Sequence, residues 1–175
     1  MVKPEHGVAN PRRSNGPRRI VWASALLLAA CAQPLRQPMA GAGAEGHWNG
    51  RLALTIQSEP VQSMSAGFEL SGKPSQGELQ LFSPLGNTLA LLSWSPTTAS
   101  LKHDAQEQTS DSLDDLVIKA TGAELPLRAL FDWLSGRPAQ VAGWQADLSQ
   151  LADGRLQVHR TAPAPTVDLR IKLTP

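Results

Sequence analysis

Residues 79–92, LQLFSPLGNTLALL, decide the fold of this chain. Leucines alternate with polar residues before a short segment of turn composition, and leucines return after it. Alternation with a period of two is typical of strands that have one apolar and one wet face. Ser83 and Pro84 suit the first two positions of a type I turn, and Gly86 suits the fourth. The stretch therefore predicts a β-hairpin with Leu85 at its tip.

The same alternation predicts further strands on both sides of this hairpin. Its apolar positions are Leu52, Leu54, Ile56, Phe68, Leu70, Leu79, Leu81, Leu89, Leu91, Val167, Leu169, Ile171 and Leu173, with Leu92 and Trp94 in the opposite phase. Residues 142–148 and 154–160 also have the composition of strands. Sheets whose strands have one wet face are usually antiparallel.

Two amphipathic helices are predicted between these strands, because apolar residues there recur at helical spacing. The first helix has Ser112 as its N-cap and Gly122 as its stop signal. The second begins at Leu125-Pro126 and ends before Gly136. The two apolar stripes comprise Leu113, Leu116, Val117 and Ala120 in the first helix, and Leu127, Leu130, Phe131 and Leu134 in the second.

We therefore expect a mainly β fold with helices: a strongly curved antiparallel sheet, forming an open half-barrel, with the helices covering an apolar cavity. A leucine-lined cavity would suit flexible alkyl chains. An ordinary packed core explains the same pattern, and the pattern alone favours that alternative. At the hairpin tip, Leu85 forgoes about 1.5–3 kcal/mol of burial. This position indicates either contact with a membrane or partner, or a tip that folds back onto a neighbouring element.

The N-terminal segment has the composition of an export signal. Four arginines (residues 12, 13, 18 and 19) precede the apolar run Ile20–Ala30, which is short for a bilayer span and stops at Cys31, the only cysteine. Residues 28–31, LAAC, resemble the bacterial lipobox, whose cysteine is lipidated and becomes the first residue of the mature protein. The alternative is an ordinary secretory signal with a free or buried cysteine. We predict a signal peptide at 1–30, a lipidated flexible tether at 31–46 and one domain at 47–175.

Charge and motifs exclude several classes of function. The predicted signal holds five of the 16 basic residues and one of the 15 acidic ones, so the mature part has 11 basic and 14 acidic residues and a net charge near −3. This balance argues against nucleic-acid binding. His47, His103 and His159 lie in no nucleophile or metal motif. We therefore expect no enzymatic activity, no metal and no cofactor; a hydrolase is the rejected alternative.

Five motifs follow one another between about residues 48 and 173. They are Gly50–Leu54, Leu79–Gly86 followed by Leu89, Thr121-Gly122, Leu125–Leu127 and Leu130–Pro138. Their order, together with the lipobox, resembles the LolB family of outer-membrane lipoproteins, whose helix end reads "L..W..G.P". The segment after Ala139 looks shorter than in better-known members, which leaves open how the far side of a cavity would close.

The resemblance implies a function and a location. Family members accept other lipoproteins from a periplasmic carrier chaperone by binding their acyl chains, and insert them into the outer membrane. The partners implied are lipoprotein cargo, that carrier and outer-membrane lipid, with the protein acting as a monomer. Ala32, after the lipidated cysteine, favours the outer membrane by the sorting rule for lipoproteins in general. The alternative function is a passive envelope lipoprotein that acts as a scaffold or assembly partner.

The resemblance also implies roles for particular residues. Cys31 would be lipidated. Pro84, Leu85 and Gly86 would form a membrane insertion loop, because the family's leucine at this tip protrudes and is needed for insertion. The acyl-chain cavity would be lined by Leu52, Leu54, Phe68, Leu70, Leu79, Leu81, Leu89, Leu91, Trp94, Leu127, Leu130, Phe131 and Leu134.

Overall fold

The computed structural model of this chain describes residues 46–104 and 106–175. The predicted signal peptide, Cys31 and nearly all of the predicted tether lie outside these residues. The described strands are β1 Gly46–Ile56, β2 Gln62–Lys73, β3 Gln76–Phe82, β4 Thr88–Trp94, β5 Ala99–His103, β6 Gln106–Ser110, β7 Trp144–Asp147, β8 Arg155–Arg160 and β9 Val167–Leu173. The helices are α1 Leu113–Thr121 and α2 Leu127–Leu134, with a short 3-10 turn at Leu151–Asp153.

All nine described strands form one antiparallel sheet in the order β6-β5-β4-β3-β2-β1-β9-β8-β7. The strands β6 and β7 are its two edges, so the sheet is open, and it curves into a half-barrel. The first and last strands pair with each other in the interior of the sheet, where β1 lies between β2 and β9. This confirms the predicted fold class.

The two faces of the sheet differ in chemistry. One face, called here the covered face, carries the buried apolar side chains of alternate strand positions, among them Leu54, Leu70, Leu81 and Val167. Both helices contribute buried residues to the same core cluster. The opposite face, called the bare face, carries the intervening residues of β1, β8 and β9, most of which are exposed.

The helices begin and end close to where the sequence predicts. In α1 the Ser112 hydroxyl accepts a hydrogen bond from the backbone N–H of Asp115, and Gly122 ends the helix at φ +79°. Asp114 and Asp115 lie in the first turn, where their negative charges interact favourably with the positive end of the helix dipole. No side chain caps the N-terminus of α2, which Pro126 precedes.

A β-bulge in β4 overturns part of the predicted cavity lining. Leu81 pairs with Ala90, but Phe82 pairs with Thr88, so Leu89 is an extra residue between two ladder positions. An extra residue shifts the alternation of the strand. Leu89 is 37% exposed and Leu91 is only partly buried. The expectation that these two leucines line the covered face is therefore wrong; Ala90, Leu92 and Trp94 occupy that face instead.

Two strands and one boundary also differ from expectation. Neither β5 nor β6 was predicted, because β5 is short and the edge strand β6 is polar throughout. Strand β1 begins at Gly46, one residue before the predicted start of the domain. Within the described ranges, no helix has the length and apolar character needed to cross a membrane.

Candidate functional site

The hairpin between β3 and β4 is held by three short hydrogen bonds. The backbone N–H of Gly86 donates to the carbonyl of Ser83 at 2.9 Å, which closes the predicted turn. The backbone N–H of Ser83 donates to the carbonyl of Asn87 at 2.8 Å, and the N–H of Asn87 donates to the Ser83 hydroxyl at 3.2 Å. Gly86 has φ +84°, a conformation that glycine adopts without strain. The turn is therefore well defined rather than a loose loop.

Leu85 stands at the tip of this turn and is 89% exposed. Its neighbours Pro84 and Gly86 are also exposed, and a Cβ built on Gly86 would meet no atom within 4 Å. The tip does not fold back onto a neighbouring element, which was the open alternative. Proline fixes the backbone on one side of the leucine, and the Ser83 bonds fix the ends of the turn.

Eleven of the thirteen predicted cavity residues lie buried on the covered face or on the helices above it. They are Leu52, Leu54, Phe68, Leu70, Leu79, Leu81, Trp94, Leu127, Leu130, Phe131 and Leu134. Leu89 and Leu91 are the two exceptions described above. In this structure the helices close the covered face, and none of the eleven residues is more than 8% exposed.

Helix α2 reaches the sheet through large side chains. The Phe131 ring makes edge-to-face contacts with Trp48 on β1 and Trp94 on β4, at centroid distances of 5.6 and 6.0 Å. The indole Nε1 of Trp133 donates to the carbonyl of Ala139 at 3.0 Å. By contrast, the indole Nε1 of Trp94 is buried and donates to no acceptor in the described part of the chain. An unpaired donor in an apolar interior is costly, which makes it a candidate ligand contact.

The three histidines of the described residues lie apart on separate strands. Each has a carboxylate oxygen near one of its ring nitrogens. The distance is 3.8 Å from His47 to Glu69, 3.4 Å from His103 to Asp104 and 2.7 Å from His159 to Asp168. Within residues 46–104 and 106–175, no cluster of three or more His, Cys, Asp or Glu side chains could hold a metal ion.

One carboxyl has a displaced pKa. Hydrogen bonds from the side chain and the backbone of Ser149 lower the pKa of Asp147, at the β7 edge of the bare face. The Asp147 carboxyl therefore takes up a proton only at a lower pH than an ordinary aspartate does.

The structure also brings together residues that sequence reasoning missed. Arg51, Arg155, Arg170 and Lys172 are neighbours on the bare face of β1, β8 and β9. Their alternation with apolar residues predicted that the β1 and β9 side chains face water. Their juxtaposition depends on pairing between strands from opposite ends of the chain, for which the sequence carries no local signal.

The structure defines the class of this domain as an open antiparallel half-barrel that has one face covered by helices and an exposed leucine at a hairpin tip. The chain belongs to the LolB family of outer-membrane lipoproteins: residues 46–167 match the family described as "Outer membrane lipoprotein LolB". The protein is accordingly an outer-membrane lipoprotein.

Three relatives, each named outer-membrane lipoprotein LolB, show the extent of the similarity. The protein of Bordetella petrii is 32% identical over 85% of this chain and 87% of its own length. That of Cupriavidus pinatubonensis is 35% identical over 75% of this chain and 65% of its own length. That of Chromobacterium violaceum is 32% identical over 80% of this chain and 77% of its own length.

Proposed function

We propose that this protein accepts lipoproteins from a periplasmic carrier chaperone by binding their acyl chains, and inserts them into the outer membrane. The observation that carries the proposal is Leu85, a leucine that is 89% exposed on a hydrogen-bonded turn. A large apolar side chain held away from the core gains nothing from folding. It gains about 1.5–3 kcal/mol when it enters an apolar phase.

Acyl chains would enter between α2 and the covered face. Each buried methylene of a lipid chain contributes about 0.8 kcal/mol, so a chain of about 16 carbons contributes roughly 12 kcal/mol. Lifting α2 exposes its large buried side chains, at about 1.5–3 kcal/mol each, or roughly 8–15 kcal/mol for Leu127, Leu130, Phe131, Trp133 and Leu134 together. One acyl chain therefore about balances the opening of α2, and the several chains of a lipoprotein exceed it.

Three features of the structure support α2 as the element that moves. It has no side-chain N-cap, whereas α1 is capped at both ends. Gly136, at φ +75°, follows its C-terminus and provides a turn that accommodates backbone change. Under α2, the unpaired Nε1 of Trp94 can donate to an ester or amide carbonyl of the incoming lipid.

Delivery would follow the rising affinity of the acyl chains for the carrier, for this protein and for the bilayer, in that order. Leu85 enters the leaflet, the half-barrel is held against the bilayer, and the acyl chains pass into the membrane, where their burial is more complete. No nucleotide is needed for this direction. Cys31 would carry the lipid that keeps the protein at the membrane, with residues 1–30 removed as a signal and the segment from Cys31 up to the start of β1 acting as the tether.

The experiment that tests the insertion role is transfer of a lipoprotein from its carrier into liposomes. Leu85→Glu should lower transfer by roughly tenfold to hundredfold, because it removes the apolar contact, while cargo acceptance stays intact. Val61→Glu is the matched control, since Val61 is also an exposed loop residue, at 59%. Normal delivery by the Leu85→Glu protein would refute the role of the loop.

The anchor is tested separately. Cys31→Ala should abolish lipidation and release the protein from the outer-membrane fraction. Unchanged fractionation of that variant would disprove anchoring through this residue.

The closed covered face favours one second candidate, a passive envelope lipoprotein that scaffolds a complex. Native mass spectrometry of the protein after incubation with a lipidated peptide distinguishes the two functions. A receptor forms a complex that the unlipidated peptide does not form, whereas a scaffold binds neither peptide through the covered face.

A further inference from the structure

Four cations lie side by side on the bare face. Arg51 on β1 is directly opposite Lys172 on β9, and Lys172 is directly opposite Arg155 on β8. Arg170 lies in the adjacent row of β9 on the same face. All four side chains are exposed, and together they border one shallow depression of about 270 Å³. We call these four residues the basic patch.

No acidic side chain in the described ranges lies within ion-pair distance of the basic patch. On the same face, Asp168 contacts His159 at 2.7 Å, and Glu69, diagonally across from Arg51, lies 3.8 Å from His47. Asp147 faces this side from β7, two strands and about 10 Å from Arg170. The patch therefore keeps a net positive charge although the predicted mature chain is mildly acidic.

This arrangement works against stability. Like charges directly opposite each other on neighbouring strands repel, and two such pairs share Lys172. If this face only contacted water, pairs of opposite charges across neighbouring strands would make the fold more stable. A ligand with several negative charges would relieve the repulsion, and arginine is well suited to bind phosphate in two-point contacts.

The patch is continuous with the base of the Leu85 hairpin. Phe82, the last residue of β3, is opposite Gly67, and Gly67 is opposite Arg51. Phe82 lies over Gly67, since a Cβ built there would meet the Phe82 side chain at 3.5 Å. One cross-strand row thus runs from the hairpin base to Arg51, Lys172 and Arg155. At a strand spacing of about 4.8 Å, Arg51 lies roughly 10 Å from the hairpin base and Arg155 roughly 19 Å from it.

We propose that the basic patch docks on the phosphate groups of an anionic phospholipid bilayer and so orients the domain on the membrane. The proposal rests on the proposed function for the neighbouring hairpin, because that hairpin sets which surface the patch meets. A bilayer presents many phosphates in a plane, which suits four cations on a sheet face better than a pocket-bound single anion. An acidic face of the carrier protein is the competing occupant.

The test is flotation of the full chain with two kinds of vesicle, phosphatidylcholine alone and phosphatidylcholine with about one part in three of phosphatidylglycerol. The variant Arg51→Gln/Arg170→Gln is compared with Lys73→Gln/Arg128→Gln, which removes the same charge from other elements. Every sample carries Cys31→Ala, so that a lipid anchor does not mask differences in affinity between the variants. Thermal unfolding of each protein confirms that the fold is retained.

We expect the patch variant to lose roughly thirtyfold in affinity for the anionic vesicles, about fivefold per cation, while binding to neutral vesicles is unchanged. The control variant should bind both vesicles as the natural chain does. Wild-type affinity of the patch variant for anionic vesicles would overturn the proposal. If that result came with impaired transfer from the carrier, the patch would dock a protein instead.

The Leu85→Glu protein keeps the two proposals separable. It should retain the preference for anionic vesicles, because the patch is intact. Failure of the insertion role alone would appear as normal transfer by Leu85→Glu with the charge preference still present. Failure of the patch proposal alone would appear as lost transfer by Leu85→Glu with no charge preference in any variant.

Discussion

The two faces of the sheet contribute differently to the stability of the fold. The covered face buries leucines and aromatic rings under two helices, and it supplies the free energy that holds the fold together. The bare face leaves its charges in water and places like charges opposite each other. A side chain on the covered face is therefore explained by packing, whereas a side chain on the bare face that weakens the fold calls for an explanation from binding.

The strongest test of this contrast makes the same substitution on each face. Phe131→Ala should lower the free energy of unfolding by about 3–5 kcal/mol, because the ring fills the space between Trp48 and Trp94. Phe82→Ala, on the bare face and only partly buried, should cost less, about 1–2 kcal/mol. Denaturant unfolding of both variants measures the difference. Equal losses would mean that the bare face also contributes a core.

A smaller effect is expected at the start of α1. Ser112→Ala removes the hydroxyl that accepts from the Asp115 backbone N–H, and it should cost about 1 kcal/mol of unfolding free energy. The loss should be visible as faster hydrogen exchange in the first turn of α1, with α2 unaffected. Ser112→Asp, which keeps a capping oxygen, serves as the control and should restore most of the stability. A loss of exchange protection in both helices would show that they open together.

The smallest effect has the opposite sign. Lys172→Thr removes the central charge of the row that includes Arg51 and Arg155, and it should raise the free energy of unfolding by roughly 0.2–1 kcal/mol. The gain should shrink at high salt, which screens exposed charges. Thermal unfolding at low and high ionic strength checks both statements. A variant that is less stable at low salt would show that the row is not repulsive.

Alternation of apolar residues was enough to predict most of the covered face. Leu52, Leu54, Phe68 and Leu70 are buried as their spacing indicates, and the caps Ser112 and Gly122 bound α1 as their chemistry requires. Turn chemistry likewise predicted the hairpin that presents Leu85. These signals are local, since each depends on residues a few positions apart.

Features that depend on pairing could not be predicted in this way. Strand β6 has no apolar face, so only its ladder with β5 defines it. The shift of Leu89 and Leu91 to the other face follows from a bulge, which exists only relative to the partner strand. The basic patch requires β9 to lie between β1 and β8. The roles proposed for Cys31, the insertion loop and the acyl-chain cavity remain predictions.

The bulge at Leu89 has a consequence for building hybrids between relatives. A four-residue turn looks like a portable module, but the extra residue that sets the phase of the following strand lies beyond it, at position 89. A graft that ended at Gly86 would leave this extra residue behind, so the strand that follows would keep the pairing phase of the recipient. The transferable unit is therefore the whole segment from Leu81 to Ala90. This segment includes the bulge, so it preserves which residues of the following strand face the core.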